Sequence, residues 1–188
     1  YEGDDNYEPA HTIVSVSLGQ SKMEVSPQDI AVAEYDGTIY TLADRLTITN
    51  GPEKEDCTIT FVRGTEGQDD PQDVTNWTQN VVTQVKNHSD TGTYFYRIQD
   101  PQGNYAGAYG TLQVNIGRKA LTVDPGLEES KVYDGKVTAV TKGSETLTGA
   151  KGETITAAIS AQYDDPDVDQ YTKITMTYEL SSKQELDN

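Results

Sequence analysis

Residues 104–117 have the sequence NYAGAYGTLQVNIG, and residues 6–19 have the sequence NYEPAHTIVSVSLG. In the second half of both stretches, apolar side chains alternate with polar ones. Because successive side chains of a β-strand point to opposite faces, this alternation predicts a strand with one apolar face. The two stretches also match each other without a gap at an offset of 98 residues. The pattern therefore predicts both β-structure and a repeated unit.

The match continues beyond the predicted strands, as far as residues 37 and 135. Residues 6–37 and 104–135 share ten identities in 32 aligned positions: Asn6/Asn104, Tyr7/Tyr105, Ala10/Ala108, Val16/Val114, Gly19/Gly117, Val25/Val123, Pro27/Pro125, Tyr35/Tyr133, Asp36/Asp134 and Gly37/Gly135. An ungapped match of this kind is typical of a tandem array of modules. The shared positions are predicted turns, strand cores and a spacer proline, so the repeat indicates a scaffold.

The strand pattern recurs along the whole chain. It fits residues 46–49, 57–62, 93–98, 120–123, 154–159 and 171–178. Turn-forming Asp, Asn, Gly and Pro residues separate these segments. Many short strands with polar turns between them predict an all-β fold of β-sandwich domains. Residues 81–87 fit either a helical turn or a strand.

The repeat predicts the domain boundaries. Residues 1–21 are expected to be the terminal strand of a preceding repeat, packed on the first domain. Residues 22–118 are expected to form a complete sandwich, and residues 119–188 a second, shorter one. The linkers contain no Gly/Ser tract, so we expect consecutive domains to form a fairly stiff rod.

Residues 89–96 have the sequence SDTGTYFY and resemble the tyrosine corner of immunoglobulin-like domains. In that motif a Tyr hydroxyl binds the backbone of the loop that enters a strand. The residues that match the motif are Asp90, Gly92 and Tyr94. The resemblance implies that the sandwiches are tandem immunoglobulin-like domains.

Residues 119–140 contain LTV, a spacer and VYDGK, and they resemble the Tyr-Asp-Gly and MBG-type repeats of bacterial cell-surface proteins. Tyr35-Asp36-Gly37 and Tyr133-Asp134-Gly135 are the two copies of the motif in this chain. Asp-Gly by itself is a strong turn signal, because Gly accepts positive φ and Asp bonds to nearby backbone. The resemblance implies extracellular modules of adhesin-like proteins, and it implies no catalytic residues.

Composition restricts the classes of partner. The formal net charge is −17 and the pI is about 4.3. Such an acidic chain repels phosphate backbones and anionic lipid, so nucleic acid and membrane surfaces are not expected partners. Cys57 is the single cysteine, which leaves no internal disulfide framework. No stretch of the sequence has the ~20 apolar residues of a membrane helix.

Reaction chemistry has little support in the sequence. The two histidines, His11 and His88, have no partner at metal-ligand spacing. No phosphate loop, nucleophile elbow or helical zinc motif is present. We therefore expect a protein that is not an enzyme and needs no cofactor.

Calcium is the metal that the sequence favours most, because hard cations bind clustered carboxylate oxygens. The candidate ligands are Asp164, Asp165, Asp167 and Asp169. Asp69, Asp70 and Asp73 form a smaller cluster. The ordinary alternative for both clusters is a solvated turn, since the regular EF-hand spacing is missing.

Sugar binding would need exposed aromatic rings with amide or acid groups beside them. Trp77, Tyr105 and Tyr109 are the candidate residues. The ordinary alternative for a single Trp in such a domain is a place in the core.

These patterns favour a non-catalytic stalk or spacer segment of a bacterial cell-surface or secreted adhesin-like protein, located outside the cell or in the cell wall. Its expected partners are neighbouring repeats and a host glycan or protein. The alternative is a carbohydrate-binding module attached to a secreted enzyme. We also expect residues 1–19 to be able to complete the open edge of residues 119–188 in a neighbouring molecule by strand addition.

Overall fold

The computed structural model describes residues 3, 5–8, 11–127, 131–167 and 173–181. Within these residues the regular structure is β-strand with short 3-10 turns, and no α-helix is present. The strands are β1 (Ser21–Lys22), β2 (Glu24–Pro27), β3 (Ile30–Val32), β4 (Tyr40–Thr41), β5 (Leu46–Asn50), β6 (Thr58–Arg63), β7 (Gln84–Val85), β8 (Gly92–Gln99), β9 (Tyr105–Ala106), β10 (Ala108–Ile116), β11 (Ser144–Thr148), β12 (Thr154–Tyr163) and β13 (Ile174–Leu180). The expected all-β fold is confirmed. In residues 81–87, β7 is a strand.

The first unit is built around a four-stranded sheet in the order β3-β10-β8-β6. β10 runs antiparallel to β8 and parallel to β3, and β6 runs antiparallel to β8. The pairs β2–β5 and β4–β7 lie outside this sheet, and β1 pairs with β9 in parallel. The chain therefore leaves the main sheet and returns to it three times, after β3, β6 and β8.

One apolar core holds the first unit together. Alternate residues of β10, Leu112, Val114 and Ile116, are buried as the sequence pattern predicts. They contact buried side chains from the other strands and the 3-10 turn Leu42–Arg45. The core consists of Met23, Ile30, Tyr35, Leu42, Leu46, Phe61, Val85, Tyr94, Tyr96, Ile98, Leu112, Val114, Ile116 and Ala150. Ala150 belongs to the second unit by sequence, so the two units share part of this core.

The second unit contains a three-stranded antiparallel meander in the order β11-β12-β13. Strict alternation along β12 buries Ile155, Ala157, Ile159 and Ala161. Leu147, Ile155 and Ala157 form a small core against which Leu121, Val123 and Leu180 pack. This core has fewer and smaller side chains than the core of the first unit.

Two expected strands do not form. Residues 11–20 contain no strand and are exposed, and residues 120–123 also lie outside any strand. A strand requires a neighbour for its backbone groups, and no described part of this chain supplies one to residues 11–20. Only their end is attached, where Gln20 Nε2 donates to the Gly103 carbonyl (2.9 Å) and β1 begins. Residues 11–19 are thus exposed in the structure, and the assignment of residues 1–21 to a preceding repeat stays a prediction.

Candidate functional site

The first Tyr-Asp-Gly motif forms a tight turn directly after β3. Asp36 Oδ1 accepts a hydrogen bond from the Thr38 amide (2.8 Å), and Oδ2 accepts one from the Tyr40 hydroxyl (3.2 Å). The Thr38 amide bond is the main reason why the pKa of Asp36 lies below its ordinary value. Gly37 has φ +72°, a conformation that glycine adopts without steric cost. This local chemistry fixes where Tyr35 enters the turn.

A second turn, between β11 and β12, faces the first. The Gly149 amide donates to the Glu153 carbonyl (2.7 Å), and the Glu153 amide donates to the Ala150 carbonyl (2.9 Å). Lys151 (φ 48°) and Gly152 (φ 79°) both have left-handed backbone. The turn therefore presents Ala150 and Glu153 on the side of the first unit.

The two turns meet in a junction between the units, which we define by Tyr35, Gly37, Lys86, Ala150 and Glu153. The Tyr35 hydroxyl donates to Glu153 Oε1 (2.6 Å), and Lys86 Nζ donates to the same oxygen (2.9 Å). Lys86 Nζ also lies 5.6 Å from the centre of the Tyr35 ring. Tyr35 is only 3% exposed. The junction thus combines an apolar contact with a charge-assisted hydrogen-bond network.

The charges of the junction reinforce one another. Burial alone would raise the pKa of Glu153, but the hydrogen bonds from Tyr35 and Lys86 outweigh it, and the pKa is lowered. The pKa of Lys86 is raised by its interactions with Tyr35 and Glu153. Burial and the hydrogen bond to Glu153 raise the pKa of Tyr35. At neutral pH the network therefore holds a carboxylate, an ammonium group and a neutral phenol.

The linker between the units is bound to the first unit by its backbone. The Gly117 amide donates to the Val32 carbonyl (2.8 Å), and the Tyr35 amide donates to the Gly117 carbonyl (2.8 Å). A Cβ atom at Gly117 would collide with the carbonyl oxygen of Ala33. Beside it, Lys119 Nζ forms an exposed ion pair with Glu34 (2.7 Å). Glycine is therefore required at position 117 because two backbone segments pass so close to each other.

The second Tyr-Asp-Gly motif has the same hydrogen-bonded turn as the first, but its tyrosine side chain is not buried. Asp134 Oδ1 accepts a hydrogen bond from the Lys136 amide (3.0 Å), and Gly135 has φ +69°. Lys131 Nζ pairs with Asp134 (2.7 Å). Tyr133, however, is 59% exposed. The motif thus forms a turn in both copies, but only the first copy is covered by a neighbouring unit within the described residues.

Sequence reasoning missed three residues of the junction, namely Lys86, Ala150 and Glu153. The sequence contains one signal for the turn at residues 149–153. Its Gly149 and Glu153 match Gly51 and Glu55 at the same 98-residue offset. Lys86 lies in the part of the first unit that the repeat does not match.

The loop before β8 is held by the residues that resemble a tyrosine corner. The Tyr94 hydroxyl donates to the Asp90 carbonyl (2.8 Å). Asp90 Oδ2 accepts hydrogen bonds from the amides of Lys86 and Asn87 (2.7 Å each). Asp90 thereby positions the backbone of Lys86, which connects this loop to the junction.

The candidate sugar-binding aromatics do not form an exposed platform. Trp77 is 7% exposed and packs against Val62 and Phe95. The Tyr109 ring lies 5.9 Å from the Trp77 ring, and the Arg97 guanidinium lies over the indole at 5.2 Å. Tyr105 packs instead against the core of the first unit. Trp77 thus completes a small cluster with Val62 and Phe95 on one face of the main sheet, which is the ordinary alternative of a place in the core.

The candidate calcium ligands are engaged in local backbone contacts. Asp165 Oδ1 accepts a hydrogen bond from the Asp167 amide (2.8 Å), and Asp164 Oδ1 accepts one from the Lys173 amide (3.2 Å). Asp169 lies outside the described residues. In the smaller cluster, Asp70 Oδ1 accepts a bond from the Gln72 amide (2.8 Å). Among the residues that the structure describes, no group of three or more His, Cys, Asp or Glu side chains is arranged to hold a metal ion.

The Cys57 thiol and the His88 imidazole both contact the first unit. His88 Nδ1 donates to the Ile116 carbonyl (2.6 Å), and Cys57 packs against the core of the first unit. Burial raises the pKa of the Cys57 thiol, which disfavours the reactive thiolate. In the described ranges, no helix is long and apolar enough to cross a membrane.

These features describe an all-β chain in which the first Tyr-Asp-Gly turn contacts the turn at residues 149–153. Comparison with known protein families identifies a YDG domain at residues 117–187, which covers the second unit. No curated protein and no solved structure matches the chain. The resemblance inferred from residues 119–140 is therefore confirmed as a YDG-type domain.

The pH dependence of the junction follows from Glu153. Its pKa is lowered in the folded protein, so its carboxylate stabilises the junction above the ordinary pKa of 4.5, and this contribution is lost as the pH falls through the lowered value. We expect amide NMR signals of residues 149–153 to shift in that acidic range. In Glu153→Gln this transition should be missing. An identical transition in the variant would show that another group controls the junction.

Proposed function

We propose that this chain is a non-catalytic stalk or spacer segment of a bacterial cell-surface or secreted adhesin-like protein, acting outside the cell. The observation that carries the proposal is the junction between the units. A repeated turn, whose sequence is shared by both units, is used as a mechanical contact and not as a binding pocket. The YDG domain and the resemblance to cell-surface repeats support the location.

The junction and the linker favour a spacer because they restrict the second unit by three kinds of contact. The Tyr35–Glu153–Lys86 network joins the two turns, Ala150 enters the core of the first unit, and the linker is hydrogen-bonded through Gly117. Inter-domain motion is the default where such contacts are few. Several short-range contacts around a linker without a flexible tract favour a fixed spacing between modules.

We further propose that the first unit is an immunoglobulin-like β-sandwich. The support is its strand arrangement, in which the short edge strand β3 runs parallel to β10 while β10, β8 and β6 form an antiparallel sheet. The Tyr94–Asp90 hydrogen bond has the geometry of a tyrosine corner. The second unit, with a three-stranded meander, represents a leaner version of the same module.

The same junction is proposed to repeat along the array. Tyr133, Asp134 and Gly135 would receive the turn of a following module, in the way that Tyr35, Asp36 and Gly37 receive residues 149–153. The turn at residues 51–55, which matches residues 149–153 in position, would dock on a preceding module. Each module would then have a Tyr-Asp-Gly turn that contacts the following module and a facing turn that contacts the preceding module. Such contacts join two different surfaces, and heterologous contacts of this kind produce extended assemblies.

The geometry favours this spacer role over the carbohydrate-binding alternative. A sugar platform requires an accessible aromatic face, and Trp77 is buried beneath Arg97 and beside Tyr109.

Small-angle X-ray scattering tests the spacer proposal. At neutral pH the Glu153→Ala variant should give a broader distribution of interatomic distances than the unmodified chain, because the bonds from Tyr35 and Lys86 lose their acceptor. The matched control is Glu55→Ala, which removes the same side chain at the equivalent position of the first unit. A distribution unchanged by both substitutions, and already broad in the unmodified chain, would contradict a stiff spacer.

A further inference from the structure

Residues 12–18 present an apolar strand pattern that no described part of the chain covers. Val14, Val16 and Leu18 are 75%, 78% and 95% exposed. These residues match Leu112, Val114 and Ile116 of β10 at the 98-residue offset, and those three side chains are buried. The segment thus has the sequence of a central strand without the neighbours of one.

The second unit has a sheet edge of the matching kind. β13 pairs with β12 on one side, and its other side has no strand partner among the described residues. In the first unit the corresponding strand is β8, which lies between β6 and β10. Within the described residues, the sheet of the second unit therefore has no strand beside β13, at the position that β10 occupies beside β8 in the first unit.

The register supports the correspondence between β13 and β8. Phe61 of β6 lies opposite Tyr96, and Ile159 of β12, which matches Phe61 at the 98-residue offset, lies opposite Tyr178. Tyr178 is thus the counterpart of Tyr96. Tyr96 is 4% exposed under the cover of its sheet neighbours, whereas Tyr178 is 43% exposed. The exposure of Tyr178 is the difference expected where no strand among the described residues covers the ring.

We propose that residues 12–18 of one molecule add as an antiparallel strand to the free edge of β13 in a second copy of this chain. The pairing of β10 with β8 gives the register. In the first unit, Leu112 lies opposite Tyr94, and Val114 lies opposite Gly92. Val14 and Val16 match Leu112 and Val114, while Met176 and Ile174 are the counterparts of Tyr94 and Gly92. Val14 therefore lies opposite Met176, and Val16 lies opposite Ile174. The added strand satisfies the backbone groups of the edge, and its apolar face extends the core.

The assembly is directional. Each copy has one donor strand and one acceptor edge, so the contact is heterologous and propagates from copy to copy. This proposal is independent of the spacer role, because loss of strand addition leaves the junction between the two units intact.

Cross-linking between two separately purified variants tests the register. Both carry Cys57→Ser, and one adds Ser15→Cys while the other adds Thr175→Cys. These positions correspond to Gln113 and Thr93, which lie opposite each other in β10 and β8 and whose side chains are hydrogen-bonded (3.0 Å). Mixing under mild oxidation should give the mixed disulfide as the main product. The control replaces Ser15→Cys by Val16→Cys, and it should give little product because a one-residue shift places that side chain on the opposite face.

Light scattering tests the association itself. The unmodified chain should show an average mass that rises with concentration, and deletion of residues 12–18 should abolish the rise. The deletion should leave the melting of the first unit unchanged, since residues 12–18 are exposed and contribute nothing to its core. A monomer at all concentrations, or equal cross-linking of the matched and the shifted pair, would overturn the proposal.

Discussion

Replacing Tyr35 with alanine is expected to lower the free energy of unfolding of the first unit by about 3–5 kcal/mol, the range for removing a buried aromatic ring. The ring is 3% exposed, belongs to the core of the first unit and donates to Glu153. Its removal creates a cavity and also breaks the junction. Chemical denaturation followed by tryptophan fluorescence measures the effect, because Trp77 lies in the first unit.

Tyr133→Ala is the matched control, since it makes the same substitution in the same motif of the second unit. Tyr133 is 59% exposed, so its loss should change stability by no more than about 0.5 kcal/mol. Tyr35→Phe isolates the hydroxyl and should cost about 1.5–3 kcal/mol, the net value of a hydrogen bond to a charged group. Equal effects of the two alanine variants would show that Tyr35 has no special role at the junction.

The second large effect is expected at Gly117. Gly117→Ala should destabilise the first unit by about 3 kcal/mol, the upper part of the range for overpacking, because the atom that the new methyl group meets is backbone and cannot move aside cheaply. The carbonyl of Ala33 must shift, which disturbs the hydrogen bonds from Gly117 to Val32 and from Tyr35 to Gly117. Thermal melting and scattering together should show lower stability and a looser linkage between the units.

Gly19→Ala provides the internal control for this substitution. Gly19 matches Gly117 in the repeat, but a Cβ atom there would meet nothing within 4 Å. We expect a change in stability within about 0.5 kcal/mol, as for other exposed positions. A large loss at Gly19 would mean that residues 11–20 have a structural role within their own chain.

The repeat gives these experiments matched partners, because several equivalent residues of the two copies differ in whether a neighbour covers them. Tyr35 is covered and Tyr133 is exposed; Leu112 is buried within a sheet and Val14 is exposed. The spacer and strand-addition proposals both follow from this contrast. Each states that the exposed copy has the chemistry of the covered copy and receives an equivalent partner.

Much of the fold could be predicted from the sequence because it depends on local patterns. Alternation predicted β10, and the strands β6, β8 and β12 were also anticipated. The same reasoning failed for residues 12–18, whose pattern is as clear as that of β10. A strand forms only where another strand accepts its backbone hydrogen bonds, and the pattern of one segment contains no information about whether that partner is present.

The candidate site was predictable only in part. The Tyr-Asp-Gly motif was correctly predicted to be a turn, since Asp36 and Asp134 each bond to an amide two residues further along the chain. Its role as a contact was not predictable from the motif. Tyr35 and Glu153 are separated by 118 residues, and Lys86 comes from a loop that has no match in the repeat.

The sequence by itself therefore determined the all-β class, the 98-residue repeat and the Tyr-Asp-Gly turns, because each depends on side chains only a few residues apart. The tertiary structure alone decided that Tyr35 is buried while Tyr133 is exposed, that Trp77 lies under Arg97, and that residues 12–18 remain unpaired. The physical reason is that burial and strand pairing are properties of two surfaces in contact. Local sequences as similar as the two Tyr-Asp-Gly copies therefore differ in burial when only one of them has a neighbour.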